Sequence, residues 1–389
     1  MNKFTLYYTV LIFFLGGITQ CQIMSKIYGK SLHEVILEKK KEYKNIAICN
    51  VEHSSYVQAL KLSSDVVIGC VDVLKMQLKL FSNNLEPKKS FEFQTKYNKI
   101  LDIEFSIIDS NTFQVHLTLE SSEKKSESSS PWFVQELVFN NNLKLIGEQY
   151  FNNDVFVLRG ILTDKPQLHV VASPKRPFQS ATKDLFQIYN SESGELIPTN
   201  INANDYHRAF INSHNAGKIN NSVYYYFAES EINEPYNQEI LENSLYYYEF
   251  ALDKQKIIAN INLSKFHQKT FLTDFDKNEK LIANKRHEMT SVYDRNKDQI
   301  YYQFYEIKTL ATPKMRRDRK IGIYLLRLDR KTGKLDYIKM KKPLTFVGII
   351  ENDFLFMGTK TIGVNRKDDS DETVQVGVSM FLVKDPFND

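Results

Sequence analysis

Two polar segments of the sequence contain the residue types that acid–base, metal or anion chemistry requires. The first is the stretch 205–218 (DYHRAFINSHNAGK), which contains Asp205, His207, Arg208 and His214. Two histidines and a carboxylate can hold a transition metal or transfer protons. Their spacing matches no HxH or HExxH pattern, however, and the alternative is loop histidines that only hydrogen-bond locally. We therefore expect a ligand-binding group here and assign neither a metal nor a catalytic residue.

The second segment is 285–295 (KRHEMTSVYDR), which contains Arg286, His287, Glu288 and Arg295. The planar guanidinium of arginine binds carboxylates and other anions through two parallel hydrogen bonds. Arginines at the ends of strands that line a central mouth would suit carboxylate or sugar ligands. The alternative is a charged turn between two strands.

Two further segments resemble functional motifs less closely. Residues 274–278 (DFDKN) imitate the start of a calcium loop, but Glu279 stands where glycine is required and Lys285 where a bidentate glutamate belongs, which predicts an ordinary turn. The basic run 314–320 (KMRRDRK) suits anionic polysaccharide, phospholipid headgroups or nucleic acid. Without interleaved aromatic residues, the run is predicted to be a solvated loop.

The sequence contains no GxSxG, P-loop, GxGxxG or CxxC motif, so we predict no cofactor. Acid pairs for glycoside cleavage need only be close in space, so a carbohydrate-active or other hydrolytic enzyme with a central funnel stays as the alternative function. The formal net charge of +4 is too small for a long-range field, and nucleic acid is not an expected partner.

The N-terminus has the pattern of an export signal. Lys3 precedes an apolar run at 6–15 and the small residues 16–17, which predicts a signal peptide over 1–21. The run is shorter than the roughly 20 residues that span a bilayer. Cys21 ends the segment, where a bacterial lipoprotein carries its acylated cysteine, although Gln20 departs from that pattern. Periplasmic, cell-surface and secreted locations all remain open, as does a membrane tether through a lipidated Cys21.

The other two cysteines, Cys49 and Cys70, lie in neighbouring apolar runs at 46–51 and 66–73. In an oxidising compartment they are candidates for a disulfide between adjacent strands. The alternative is a pair of buried thiols that behave as small hydrophobic residues.

The rest of the sequence is organised as successive hairpins. The composition favours strands, with 26 Phe and 22 Tyr against 14 Gly and 10 Pro. Aromatic or aliphatic runs meet across short polar connections, such as LYYYEFAL and KIIANINL around DKQ at 253–255, and IGIYLLRL and DYIKM around 329–334. One such hairpin closes each unit of roughly fifty residues, a period typical of propeller blades. Runs such as 321–328 and 66–73 are apolar on both faces, so both faces must be covered. Residues 25–43 are predicted to form a short amphipathic helix.

With these hairpins, the chain resembles the exported bacterial β-propellers, in which an aromatic strand, an Asp–Lys or Asp–Gly turn and a second strand recur. The resemblance covers nearly everything after residue 44 and concerns the fold alone. It implies an all-β protein with six or seven four-stranded antiparallel blades at 44–389, after a signal peptide at 1–21 and a helical segment at 22–43. Trp–Asp ends and kelch Gly–Gly pairs are absent, and Trp132 is the single tryptophan.

From these features we expect an exported, monomeric binding module, with a protein or glycan partner and no enzymatic activity. Long polar inserts are the usual carriers of recognition, and export places that recognition outside the cytoplasm.

Overall fold

A computed structural model of the chain describes residues 34–35, 37–51, 57–72, 75–95, 99–108, 111–120, 132–151, 156–161, 168–172, 187–190, 193, 195–200, 209–210, 216–219, 221–230, 241–262, 280–311, 317–366 and 372–387. In this part of the chain all regular secondary structure is β-strand, in twenty-six strands and five hydrogen-bonded sheets. The all-β prediction is confirmed. Within the same ranges no helix is long and apolar enough to cross a bilayer.

Three of the sheets are four-stranded antiparallel meanders in chain order, and two strands precede them. The preceding strands are β1 (Glu34–Val35) and β2 (Lys39–Val51). Sheet 1 contains β3 (Val57–Lys61), β4 (Asp65–Asp72), β5 (Lys75–Ser82) and β6 (Pro87–Gln94). Sheet 2 contains β7 (Lys99–Ile107), β8 (Thr112–Glu120), β9 (Trp132–Asn140) and β10 (Leu145–Phe151). Sheet 3 contains β11 (Phe156–Ile161), β12 (Leu168–Ala172), β13 (Gln187–Asn190) and β14 (Leu196–Pro198).

Sheet 4 has ten strands in two antiparallel halves. Half 4a contains β15 (Ala209–Phe210), β16 (Ala216–Ile219), β17 (Ser222–Ser230), β18 (Leu241–Ala251) and β19 (Lys256–Asn262). Half 4b contains β20 (Lys280–Asp294), β21 (Gln299–Ala311), β22 (Arg317–Asp329) and β23 (Leu335–Met340), with β1 parallel to β23 at its edge. A short parallel pairing of β18 with β20, at Leu241–Ala283 and Glu242–Asn284, joins the halves.

Sheet 5 is completed by the N-terminal part of the chain. It contains β24 (Thr345–Ile350), β25 (Asp353–Arg366) and β26 (Glu372–Val383), and β2 pairs antiparallel with β26 as its outer strand. The helix predicted within 22–43 is therefore wrong where the structure describes this segment, because residues 34–35 and 39–43 are strands. The open edge of β26 offers unpaired N–H and C=O groups, and long-range pairing with them outweighs weak local helix propensity.

The sheets pack face to face, and the two faces of a strand contribute to the cores shared with two neighbouring sheets. In β4 the side chains of Val66, Ile68 and Cys70 belong to the core between sheets 1 and 5. Val67 and Val71, on the opposite face, belong to the core between sheets 1 and 2. Because successive side chains of a strand point to opposite faces, an apolar run in the sequence fills two cores at once.

Contacts between the first strands of the sheets close the assembly into a ring. β24 contacts β3, β3 contacts β7, and β7 contacts β11. β11 in turn contacts β16, and β20 contacts β24. The arrangement is a β-propeller, as predicted. The predicted number of six or seven separate blades is wrong, because the described residues form five sheets, and hydrogen bonds between β18 and β20 merge halves 4a and 4b into one.

The hairpin predicted around 329–334 shows how the local sequence sets a turn. Asp329 Oδ1 accepts hydrogen bonds from Thr332 N at 2.9 Å and Thr332 Oγ1 at 2.8 Å. Gly333 has φ of 66°, a left-handed conformation that favours glycine. Its amide then donates to Asp329 O at 2.8 Å, which closes the turn between β22 and β23.

The antiparallel order gives the ring two different rims. The turns between first and second strands, and between third and fourth strands, lie at one end, such as 62–64, 83–86, 252–255, 295–298 and 330–334. We call this end the turn rim. The connections between second and third strands, and from one sheet to the next, leave from the opposite end, the connection rim. Several of the sequence segments between these strand ends lie outside the described residues: 121–131, 173–186, 201–208, 231–240, 263–279, 312–316 and 367–371.

Candidate functional site

The first predicted group lies outside the described residues. Asp205, His207, Arg208 and His214 fall in the gaps on either side of β15. This strand and β16 pair with β17 as the first strands of half 4a. The proposed ligand-binding role of this group stays a prediction.

The second predicted group is divided along β20. Arg286, His287 and Glu288 lie within this strand, at backbone positions opposite Glu306, Tyr305 and Phe304 of β21.

Arg295 lies instead in the exposed turn that follows β20, at the turn rim. Six strand residues, 289–294, separate it from Glu288, so the two positions are roughly 23 Å apart along the strand. The backbone therefore places Arg295 apart from Arg286, His287 and Glu288.

The basic run differs from its sequence-based interpretation. Residues 317–320 are not a loop but the start of β22, paired with 308–311 of β21. β21 is paired in turn with 280–284 of β20. Residues 317–320 therefore lie at the end of three long paired strands, at the connection rim. Residues 312–316 lie outside the described residues.

Four aliphatic side chains are exposed towards the same rim. Ile321 of β22 is 65% exposed, and Ile362 and Val364 of β25 are 42% and 50% exposed. Ile48 of β2 is 46% exposed, opposite Gly377 of β26. A Cβ at Gly377 would lie 2.5 Å from Asn45 Oδ1 and 3.3 Å from Ile362 Cγ2, so the side chains of Asn45 and Ile362 cover the backbone at Gly377.

A charged cluster at the turn rim connects the two halves of sheet 4. Arg330 Nη2 and Nε donate to the two oxygens of Glu249, at 2.5 and 3.2 Å, and Nη1 donates to Asp298 Oδ1 at 2.6 Å. Tyr247 Oη donates to Glu249 Oε2 at 2.8 Å, and Tyr293 Oη to Asp298 Oδ1 at 3.0 Å. All three guanidinium nitrogens of Arg330, both oxygens of Glu249 and Oδ1 of Asp298 are thereby engaged within the protein.

The pKa values in this cluster shift as its geometry requires. Burial would raise the pKa of Asp298, but hydrogen bonds from Arg330 and Tyr293 outweigh it, and the pKa is lowered. Burial, followed by the nearby Glu249 charge, raises the pKa of Tyr247. Asp298 is therefore held in its charged form at neutral pH, which suits a structural ion pair with Arg330.

A buried polar group in sheet 2 was not identified from the sequence. His116 Nε2 lies 2.8 Å from Glu136 Oε2, and Gln114 Nε2 donates to the same oxygen at 3.3 Å. Glu104 is opposite His116 in the register, and all four side chains are buried. The sequence signal that could have revealed this group is the pair Gln114 and His116 inside the otherwise apolar strand TFQVHLTLE.

This polar group faces away from sheet 1, because it alternates with the core residues Val115 and Leu117. Its strands contact β11 of sheet 3 on that side. Solvent does not reach its functional groups, so it can fix the packing of two sheets but cannot act on a dissolved substrate.

Lys61, at the end of β3, has an unusual environment. Its Nζ donates to the carbonyl oxygens of Leu62 and Ser63, the latter at 3.0 Å. Burial lowers the pKa of Lys61 to about 8, against the opposing effect of Asp65. The amine is engaged with the turn between β3 and β4, so it acts as a turn cap.

The cysteines have separate positions. Cys21 lies outside the described residues. Cys49 of β2 and Cys70 of β4 form a disulfide, with Cα atoms 5.7 Å apart. The bond links sheet 5, where β2 pairs with the last strand of the chain, to sheet 1, the next sheet around the ring. Among the described residues, no group of three or more His, Cys, Asp or Glu side chains could hold a metal ion.

Comparison with known proteins gives a likeness of fold alone. No family model and no curated protein matches the sequence. A DUF4221 family member from Bacteroides vulgatus is 10% identical over 90% of this chain and 99% of its own, with a TM-score of 0.41. A candidate exported protein from Bacteroides fragilis is 8% identical over 91% and 98%, with a TM-score of 0.39. The WD40 domain of Toxoplasma gondii coronin is 7% identical over 92% and 90%, with a TM-score of 0.35. At these scores the likenesses say nothing about activity, and the chain is described by its own architecture: an all-β propeller with unequal rims.

Proposed function

We propose that this protein is an exported binding module that recognises its partner through the connection rim. The observation that carries the proposal is the difference between the rims. The turn rim ends in short turns closed by their own hydrogen bonds, such as Asp329 with Thr332. At the other end, the described strands are joined in the sequence by long polar segments, among them 121–131 (SSEKKSESSSP) and 231–240 (EINEPYNQEI), which lie outside the described residues. Such segments, on a rigid scaffold, are where recognition is usually found.

Export is supported by two features of the chain. The N-terminal pattern of Lys3, the apolar run at 6–15 and Cys21 is that of a signal segment. The disulfide between Cys49 and Cys70 persists only where the compartment is oxidising. Whether the mature chain is free or tethered through a lipidated Cys21 is decided by mass spectrometry of its N-terminus, since a diacyl mass on Cys21 is expected only for the tethered form.

The binding function is tested by shortening rim segments. In one variant, 121–131 and 231–240 are each replaced by a four-residue Gly- and Asn-rich connection. In the matched control, the turn 253–255 is replaced by Asn–Gly at the other rim. Both are compared with the unchanged chain on a panel of immobilised acidic and neutral glycans, peptidoglycan and phospholipid vesicles.

The expected result is a partner that the unchanged chain and the control bind, and that the rim variant binds at least tenfold more weakly. Equal binding by all three proteins contradicts a role for the connection rim. Release of reducing sugar from any glycan would instead favour the hydrolytic alternative, for which Asp205, His207, His287 and Glu288 are the residues to substitute.

A further inference from the structure

We propose that Lys61 is a covalent capture site for small aldehydes, with which its amine forms a reversible iminium adduct. Lys61 is the last residue of β3, the first strand of sheet 1, and lies at the turn rim. The site is separate from the connection rim, so the inference goes beyond the proposed function and does not depend on it.

The stem of Lys61 is held against the bare backbone of sheet 5. A Cβ at Gly348 of β24 would lie 2.5 Å from Lys61 Cβ and 2.9 Å from Lys61 Cγ. Glycine at 348 therefore provides the room that the stem occupies, and β24 (TFVGII) contains no titratable residue. Ser63 and Ser64, in the turn next to the end of the side chain, are exposed, so a small solute can reach the amine.

The amine has a hydrogen-bonding environment that suits its neutral form. Nζ donates to two backbone carbonyls, Leu62 O and Ser63 O, the latter at 3.0 Å. A charged lysine has three N–H donors, whereas a neutral amine has two and a lone pair. The neutral amine therefore satisfies both carbonyls and keeps its lone pair for an electrophile.

The acidic residue beside Lys61 is engaged with another cation. Asp65, which is 4% exposed, accepts from Lys88 Nζ at 2.5 Å and from Ser64 Oγ at 3.0 Å. Burial outweighs the charge of Asp65 and lowers the pKa of Lys61 to about 8. At pH 7 about a tenth of the amine is then neutral, against less than about a thousandth for a lysine in water.

A desolvated, partly neutral lysine is a nucleophile for carbonyl carbon. The Nζ lone pair forms a bond to the aldehyde carbon as the C=O π bond breaks, and a proton moves from nitrogen to oxygen to give a carbinolamine. Protonation of the hydroxyl releases water and leaves an iminium, which retains one N–H for a turn carbonyl. Addition of water reverses these steps, and no oxidant or reductant takes part. Because Gly348 and the turn carbonyls enclose the side chain, only a small aldehyde fits.

The test labels the full chain with a limiting amount of glycolaldehyde and sodium cyanoborohydride at pH 7, and peptide mass spectrometry locates the added mass. Lys254, exposed in the turn 253–255, is the comparison within the same molecule. Lys61→Arg removes the nucleophile. Lys88→Met frees the Asp65 carboxylate to hold the Lys61 ammonium, and Lys88→Arg is the matched control that keeps a cation on Asp65.

We expect Lys61 to be labelled at least about tenfold faster than Lys254, because the gain in neutral amine outweighs the weaker nucleophilicity of a less basic nitrogen. In Lys88→Met, labelling of Lys61 should slow several-fold, and in Lys88→Arg it should return to the rate of the unchanged chain. Without the reductant, native mass spectrometry should show one adduct that dialysis removes and that Lys61→Arg does not form.

Labelling of Lys61 no faster than that of Lys254 overturns the inference. An unreduced adduct that Lys61→Arg still forms also overturns it, because the aldehyde would then be held elsewhere. If Lys88→Met labels Lys61 as fast as the unchanged chain, or if Lys88→Arg slows it equally, the pairing of Asp65 with Lys88 does not control the amine and the geometric argument fails. None of these outcomes bears on binding through the connection rim, which the rim-shortened variant tests.

Discussion

The ion-pair cluster at Arg330 makes the sharpest prediction about stability. In Arg330→Met the long apolar stem is kept and the guanidinium is removed, which leaves the Glu249 carboxylate uncompensated. Glu249 is only 3% exposed, so it cannot recover its hydration without local rearrangement. Removing one partner of a buried ion pair typically costs about 3–5 kcal/mol. Asp298 is more exposed and recovers more of its solvation, so we expect the lower end, about 3 kcal/mol.

The assay is equilibrium unfolding in urea at pH 7, with the free energy of unfolding obtained by linear extrapolation. The matched control is Arg327→Met, which removes a single ion pair, 2.8 Å to Asp336 between two strands of half 4b, together with the contact of the guanidinium with the Phe387 ring. That ion pair is partly exposed, and its loss should cost about 1 kcal/mol. Adding Glu249→Leu to Arg330→Met should restore most of the loss, because the buried charge is then absent.

The pH dependence of Arg330→Met provides a second measurement. The pKa of Asp298 is lowered in the folded state, so its contribution to stability is present above its unfolded pKa and is lost as the pH falls through the folded value. The difference between the unchanged chain and Arg330→Met should therefore shrink on acidification below about pH 4. A loss below 1 kcal/mol at pH 7, or a loss equal to that of Arg327→Met, would refute the assignment of Arg330 as the link between the halves.

Three further predictions concern the core and the ring closure. Replacing Cys49 and Cys70 by alanine should lower the free energy of unfolding by about 3 kcal/mol, from the separation of 21 residues, and dithiothreitol should then no longer affect the melting temperature. Gly69→Ala should lower the free energy of unfolding by about 1–3 kcal/mol, because a Cβ there would lie 2.4 Å from a phenylalanine ring of sheet 2. Gly147→Ala, where the nearest contact of a Cβ would be 3.5 Å, should lower it less in the same urea titration. The folded pKa of Lys61, about 8, lies below the 10.5 of an unburied lysine, so the unfolded chain binds more protons between these pH values and stability should rise there with pH. Lys61→Met should remove that rise in urea midpoints measured at pH 8 and pH 10, and an unchanged slope would contradict the assignment.

Much of the architecture followed from local sequence. The hairpin of β22 and β23 was predictable because Asp329, Thr332 and Gly333 satisfy a turn among themselves. The apolar run 66–73 correctly indicated a strand covered on both faces, since its side chains fill two cores. These features depend on residues close in the sequence or on the two-residue period of a strand, and neither requires knowledge of partners.

The errors arose where distant parts of the chain meet. Residues 39–43 are strand because β26, more than three hundred residues away, offers them an edge. Residues 317–320 continue a strand because β21 pairs with them throughout, although their charge suggested a loop. His116 is buried through cross-strand neighbours on β7 and β9, which no local pattern specifies.

By itself the sequence determined the strand content, the tight turns and the apolar character of both strand faces, because each is set by side-chain chemistry over a few residues. Only the tertiary structure decided the pairing of β2 with β26, the merging of halves 4a and 4b, and the separation of Arg295 from Arg286. The physical reason is that hydrogen bonds between strands are made by a backbone common to all residues, so the choice of partner is fixed by closure of the whole ring.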